Sequence, residues 1–529
     1  MKHLFRYFLV LAVGCGLLLL AACGSSDKAD PPKAADNSAA DWAKEQTEML
    51  KAFYAATNGT MTVGDISADG ASASYVLKDV AGSLFIVVDE AADTGIKLEY
   101  KIGAVEVTGA AAPSDAGGLF AKKVVWKDFS YSYDLPPIQE LQASTASASA
   151  KEYVLDHLSG DMAGVMGVFQ KGRVTLAEMK PFATLAMKEL SFKGAISEAT
   201  LPSQGEPAMK LSATMESGFV KDLAFIRTGA AEVANYQLFL DGKPIATIEK
   251  ETLKGLRIGD KPEHLLTLMM NPEETLQTIP EIVIDDIRAI NTTIHLQDQG
   301  LGELRIADTG MSLALATGKM ALKMDANSIQ IPKEMEDMAS LFILGTAGSL
   351  GTLHDGQLDL SFVADVDMEE KDGKTFINAN NLFFSDKNLG NVTFAMNLVA
   401  DTLASTTPEP FGDVENTALV KAFLKVVDTG MVEFGARLMA TQAMPGTDPV
   451  ESGKAMRGMG VAMFDAQCRQ FSGSRAELCN NVLDLLRAPG TLEVTVAPPR
   501  PLVLEDDPTA YLTEHGDEAL GISSSFTKH

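Results

Sequence analysis

Residues 358–384 read LDLSFVADVDMEEKDGKTFINANNLFF, and their period of two limits the fold more than any other feature of the chain. Leu358, Leu360, Phe362, Ala364 and Val366 alternate with Asp359, Ser361, Asp365 and Asp367. Successive side chains of a strand point to opposite faces, so the pattern describes a strand packed on one side and wet on the other. Asp372-Gly373 supplies the residues of a two-residue hairpin turn. A similar alternation runs from Met61 to about Pro136. In VVWKDFSYSYD it sets Val125, Phe129, Tyr131 and Tyr133 against Ser130, Ser132 and Asp134. Helical spacing interrupts the strands at 150–168, 264–279, 333–350 and 415–427, and twice within 449–487. The expected class is α+β: a long, mostly antiparallel β-sheet meander with interspersed helices, forming either one curved groove or separate domains.

The carboxy-terminal part carries the sharpest local signals. Ser474-Arg475-Ala476-Glu477 has the pattern of a capping box, followed by the apolar face Leu478, Val482, Leu485 and Leu486 and a Pro489-Gly490 stop. Leu492, Val494 and Val496 then alternate inward in TLEVTVAPPRP. Cys468 and Cys479 lie eleven positions apart, which is not the Cys-x-x-Cys spacing of a redox or metal pair. In an exported chain such a pair is most simply a disulfide. It would staple two helices into a hairpin and stabilise by roughly 3 kcal/mol through loop closure.

Export itself is written at the amino terminus. Lys2, His3 and Arg6 precede an apolar run, 7–22, that is shorter than the roughly 20 residues a membrane-crossing helix needs and has the flanks of a signal peptide. Leu20-Ala21-Ala22-Cys23 resembles the lipobox of bacterial lipoproteins. The resemblance implies cleavage before Cys23 and acylation of its thiol, with an ordinary secretory signal as the alternative. Each buried methylene contributes about 0.8 kcal/mol, so two or more chains make a stable anchor. Gly24 and Ser25 follow, with no Asp directly after the cysteine, a pattern similar to that of lipoproteins sent to the outer membrane. Inner-membrane retention is the other outcome. Residues 24–40 lack any large apolar residue and read as a flexible tether.

Short segments resemble one another along the body. Lys127-Asp128-Phe129-Ser130-Tyr131 is similar to Lys188-Glu189-Leu190-Ser191-Phe192 and to Lys221-Asp222-Leu223-Ala224-Phe225, and the Leu301-Gly302 strand start is similar to Leu389-Gly390. Their spacings are unequal, unlike a regular solenoid. With the closing LLRAPGTLEVTVAPPRPL, the stretch 358–502 resembles bacterial envelope proteins of the YdgA and AsmA-like type. That resemblance implies repeated strands building a long curved sheet or groove. Members of that group usually keep a membrane-spanning amino terminus, where this chain has a lipobox.

Residues with chemistry are sparse. Ala347-Gly348-Ser349-Leu350-Gly351 approximates the nucleophile elbow of a serine hydrolase. An elbow needs a strand–turn–helix context, whereas this stretch reads as a helix ending in a Gly-rich turn. His354 lies five residues on and His515 in the tail. The histidines His157, His264, His295, His354, His515 and His529 form no metal-ligand pair. The acidic run Asp365, Asp367, Glu369, Glu370 has Glu where a calcium loop needs Gly and matches the wet face of a strand. No catalytic residue, metal or cofactor is therefore assigned. A formal charge of −27 repels nucleic acid. The 24 methionines include Met269, Met270, Met311, Met320, Met324, Met456, Met459 and Met463 on predicted apolar faces. They suit a core, or a groove that receives an acyl chain.

The expected layout is a signal peptide at 1–22 and a lipidated tether at 23–40. A helix plus β-rich domain follows at 41–260, then a helix plus β-meander domain with carboxy-terminal helices at 261–503. A peripheral tail occupies 504–529. The expected protein is non-enzymatic, anchored in the envelope by lipid and facing the periplasm. It holds a lipid or other apolar ligand, or else serves as an assembly partner for envelope proteins; hydrolysis by Ser349 is the third alternative.

Overall fold

The alternation of period two becomes strands 13–17 residues long through most of the body. The structure is a computed structural model, and it describes residues 47–48, 51, 59–69, 74–89, 94–110, 119–135, 144–161, 184–201, 208–224, 226–259, 281–336, 358–402, 414–444, 446–503 and 517–529. Among the described residues the chain is mostly antiparallel β-sheet with few helices, and it divides into two compact units, Met1–Asp285 and Asp286–His529.

In the first unit, β1 (Thr60–Thr62) and β2 (Asp65–Asp69) both pair with β3 (Ser74–Asp89). An antiparallel meander continues through β4 (Thr94–Ala110), β5 (Leu119–Leu135), β6 (Ser144–Ser159), β7 (Ala186–Leu201), β8 (Met209–Ala224), β9 (Arg227–Leu240) and β10 (Lys243–Ile258). The division between the units falls within β11 (Glu281–His295).

Two creases cross this meander. The first runs through mutually opposed positions Asp79, Gly103, Asp128, Lys151, Gly194, Glu216, Asn235 and Glu249, one per strand from β3 to β10. On alternate strands the residue is left-handed: Asp79, Asp128, Gly194 and Asn235 have φ of 51°, 51°, 59° and 52°. The second crease lies six residues away along each strand, through Gly109, Lys122, His157, Lys188, Asp222, Gly229 and Gly255. There the intervening strands supply the left-handed residues, Gly109, His157, Asp222 and Gly255. Gly, Asp and Asn tolerate this conformation best. The similar segments around Lys127-Asp128 and Lys221-Asp222 each place their aspartate on a crease.

Each crease shifts the face alternation by one residue. Side chains on either side of it, three apart in sequence, then share a face: Leu77 with Val80, Ile102 with Val105, Trp126 with Phe129, and Leu155 with Leu158, all buried. This corrects two expectations. Residues 150–159 lie in strand β6, not in a helix, because the left-handed His157 gives Leu155 and Leu158 a helix-like spacing. Val125 faces away from Phe129, Tyr131 and Tyr133, since Asp128 lies between them. The aromatic side chains on the shared face form a continuous chain, Trp126–Phe129 at 5.5 Å, Phe129–Tyr153 at 5.5 Å and Tyr153–Phe192 at 6.0 Å between centroids.

In the second unit, β12 (Glu303–Ala316), β13 (Lys319–Gln330), β14 (Asp359–Lys371), β15 (Lys374–Asp386), β16 (Gly390–Thr402) and β17 (Val414–Asp428) form an antiparallel meander. The β14–β15 hairpin turns at Asp372-Gly373, both with positive φ, as expected. Residues 415–427 are strand, not helix. Here the left-handed Asn416 and the register shift that leaves out Val420 again mimic helical spacing.

Helices α1 (Met431–Ala443), α2 (Pro449–Cys468) and α3 (Gly473–Arg487) follow, then β18 (Gly490–Val496), β19 (Leu502–Val503) and β20 (Ile522–Lys528). Asp448 caps α2 by accepting from the amide of Val450 at 2.8 Å. The helix α3 is capped two residues ahead of the expected Ser474, at Ser472, whose side chain makes no capping hydrogen bond. The expected peripheral tail ends inside the sheet, because β20 pairs along the whole of β18. Of the other expected helices, residues 333–336 are helical, while 337–350 and 264–279 lie outside the described residues.

Candidate functional site

Directly opposed residues of neighbouring strands point to the same face, so the register of β12–β20 sorts the second unit into two surfaces. One row reads Phe362, Phe384, Val392, Val426, Leu492 and Phe526. The next reads Met324, Ala364, Leu382, Phe394, Leu424 and Val494. The third reads Leu322, Val366, Ala379, Met396, Ala422 and Val496. A fourth holds Leu315, Met320, Met368, Ile377, Leu398 and Leu419. No charged side chain interrupts these rows. The first row crosses six strands, about 24 Å at the usual strand spacing.

Register shifts keep this face continuous. Asn380 is extra in β15, so Phe384 falls beside Phe362 while Phe376, eight residues earlier, faces the other way opposite Glu369. Alternation counted along the sequence would have put both phenylalanines on one side.

The carboxy-terminal helix closes one end of the apolar face. Asn481 of α3 donates to Ser524 Oγ at 2.9 Å, and Ser524 is the partner of Val494. Leu483 and Leu485 of α3 are buried, Leu483 against the disulfide. Burial along the first row follows from the closure: Leu492 is 4% exposed, whereas Phe362 and Phe384 are 38% and 48% exposed. Cys468 and Cys479 are joined, with Cα atoms 5.5 Å apart, and tie the end of α2 to the second turn of α3. They cluster with Leu483 beneath Val461 and Phe464.

The opposite face is mixed: Val363, Phe383, Phe376, Val399 and Phe423 share it with ion pairs and amides. Lys319 pairs with Glu369 at 2.8 Å and Lys425 with Glu493 at 2.9 Å. The Lys319 hydrogen bond holds the Glu369 carboxyl below the usual carboxylate range. Asp367 accepts from Asn378 at 2.8 Å, and Asn380 donates to Asp365 at 3.2 Å. Within the acidic run, Asp365, Asp367 and Glu369 are thus occupied by amides and a lysine, while Glu370, opposite Thr375, turns to the other face. Among the described residues no group of His, Cys, Asp and Glu could hold a metal ion. Arg288 lies across Gly310, where a Cβ would stand 3.0 Å from its Cζ. It meets Asp286 at 3.1 Å, Asp308 at 2.6 Å and Asp325 at 3.3 Å.

The first unit has a shallow depression of about 170 Å³ on its polar face, between the creases, lined by Glu152, Glu189, Lys193, Phe219 and Glu232. Its carboxylates are already paired, Glu152 with Lys193 at 2.8 Å and Glu232 with Lys250 at 2.7 Å. The Lys193 hydrogen bond keeps Glu152 below its ordinary range.

Cys23, Ser349, His264, His354 and His515 lie outside the described residues. His157 sits beside Asp156, His295 beside Glu303 and His529 beside Thr491, in three separate places. Met311, Met320 and Met324, expected on an apolar face, share it with Met368 and Met396. Met368 continues the alternation of β14, whereas Met396 was legible only through strand register. Among the described residues no helix is long and apolar enough to cross a membrane. No protein-family model and no curated protein sequence matches the chain.

Proposed function

We propose that the chain is a lipid-anchored protein of the bacterial cell envelope that binds or shields an acyl chain, or a similar apolar ligand, without enzymatic activity. In this reading the β12–β17 face is the inner wall of a curved groove, and the disulfide-linked helical hairpin is its end stop. The single supporting observation is the exposure gradient along one row, from buried Leu492 to half-exposed Phe362 and Phe384. Apolar area left in water forgoes about 25 cal/mol per Å², and contiguous exposed patches mark binding surfaces. Methionines at five positions suit a ligand of variable shape. The envelope location rests on the lipobox-like Leu20-Ala21-Ala22-Cys23 and the outer-membrane preference on Gly24-Ser25.

Mass spectrometry of lipid extracted from the full chain tests the proposal. Wild type should carry a lipid beyond that on its amino terminus, and Phe384→Asp should lose it while keeping its secondary structure. Equal lipid content in the two, or none in wild type, would overturn the proposal.

A further inference from the structure

Helix α2 turns an uncharged stripe toward solvent. Ala455, Gly458, Met459, Ala462, Met463 and Ala466 recur at helical spacing, and all six are exposed. Met459 and Met463, at 58% and 64%, are the two most exposed large apolar side chains among the described residues. The inward side of the helix is engaged elsewhere: Val461 and Phe464 pack on the disulfide cluster, and Gly453 backs onto Arg437 of α1. Methionines more than half exposed, side by side on one helix of a strongly acidic chain, mark a surface for a partner.

The two ends of the stripe indicate which partner. Glu451 and Arg469 are eighteen residues apart, five turns at 3.6 residues per turn, and Arg469 keeps helical backbone angles at the C-cap. They therefore stand in line on one edge, an acid at one end and a base at the other. Their present partners are on the same helix, Lys454 at 2.8 Å and Asp465 at 2.7 Å. Exposed pairs of that kind contribute little and exchange readily.

A half-turn about Gly460 swaps the ends. It brings Glu451 of each helix opposite Arg469 of the other, and Gly458 opposite Ala462. Two ion pairs form, small residues admit close backbone approach, and Met459 and Met463 of both helices fill the seam. Such self-complementarity belongs to an isologous two-fold contact. We infer that the chain forms a two-fold dimer in which α2 packs antiparallel against α2 of a second copy.

Sedimentation velocity of the full chain in density-matched detergent reads the outcome. Wild type should be dimeric. Met463→Lys and Glu451→Arg should each weaken the dimer by at least about tenfold, with far-UV circular dichroism and thermal midpoint retained. The exchange Glu451→Arg with Arg469→Glu should restore it. A monomeric wild type would overturn the inference, as would a folded double exchange that stays as weak as the single variant. Vesicle flotation lost in Met463→Lys without any dimer would assign the stripe to a membrane surface instead and overturn it too.

Discussion

Asp128 adopts a left-handed backbone beside Gly103, where a Cβ on the glycine would stand 3.2 Å from the aspartate's own Cβ. The same relation recurs between Asp79 and Gly64, and between Asp222 and Gly229, each with the Cβ atoms at 3.0 Å. At these three places a left-handed residue stands against a missing side chain on the neighbouring segment, whereas the left-handed Gly194, Asn235 and His157 stand opposite lysine or glutamate. The left-handed Asp128 keeps Trp126 and Phe129 on a common buried face.

Gly103→Val is expected to destabilise the first unit by about 1–3 kcal/mol through overpacking. Asp128→Val should cost about 1–2 kcal/mol from its left-handed backbone, and Asp128→Asn much less. Urea titration followed by the fluorescence of Trp126 checks all three.

Cys468→Ala with Cys479→Ala is expected to lower stability by roughly 3 kcal/mol, since the eleven-residue loop is no longer closed in the unfolded chain. Guanidinium unfolding should show the loss in oxidising buffer. Wild type treated with a reductant should move toward the variant.

Lys193→Met should return the Glu152 carboxyl toward its ordinary value, because the Lys193 hydrogen bond is the chief cause of its depression. A carboxylate whose folded value is depressed stabilises above its unfolded value of 4.5. That contribution disappears as pH falls through the folded value. The variant should therefore show a weaker loss of stability as pH falls from 4.5 through the depressed folded value, measured by urea midpoints against pH and by carbon-13 shifts of the glutamate carboxyl.

The contrast between strands and helices shows what a linear reading can reach. Leu360, Phe362, Ala364 and Val366 were legible as one face because β14 is regular over that stretch. Residues 150–159 and 415–427 were misread because His157 and Asn416 have positive φ, and a single left-handed residue turns a period of two into an apparent period near three. The disulfide was legible from spacing and compartment alone. The breadth of the apolar face was not. It depends on which residue of β16 meets which residue of β17, and on where Asn380 and Val420 are left out of register. Pairing across strands, rather than order along them, decides that surface.

Replacing Cys23 by Ser should abolish incorporation of radiolabelled fatty acid and release the chain from the membrane fraction, with the unprocessed form accumulating. Unchanged fractionation would remove the envelope anchor from the account.

The most direct measurement places a photo-activatable phenylalanine analogue at position 384 or at position 376 of the full chain in living cells. Both residues are well exposed, at 48% and 39%, yet lie on opposite faces of β15. Irradiation should attach lipid acyl chains at 384 and not at 376. Equal lipid labelling at both positions, or no lipid at 384, would contradict the assignment of the apolar face as the ligand-holding surface.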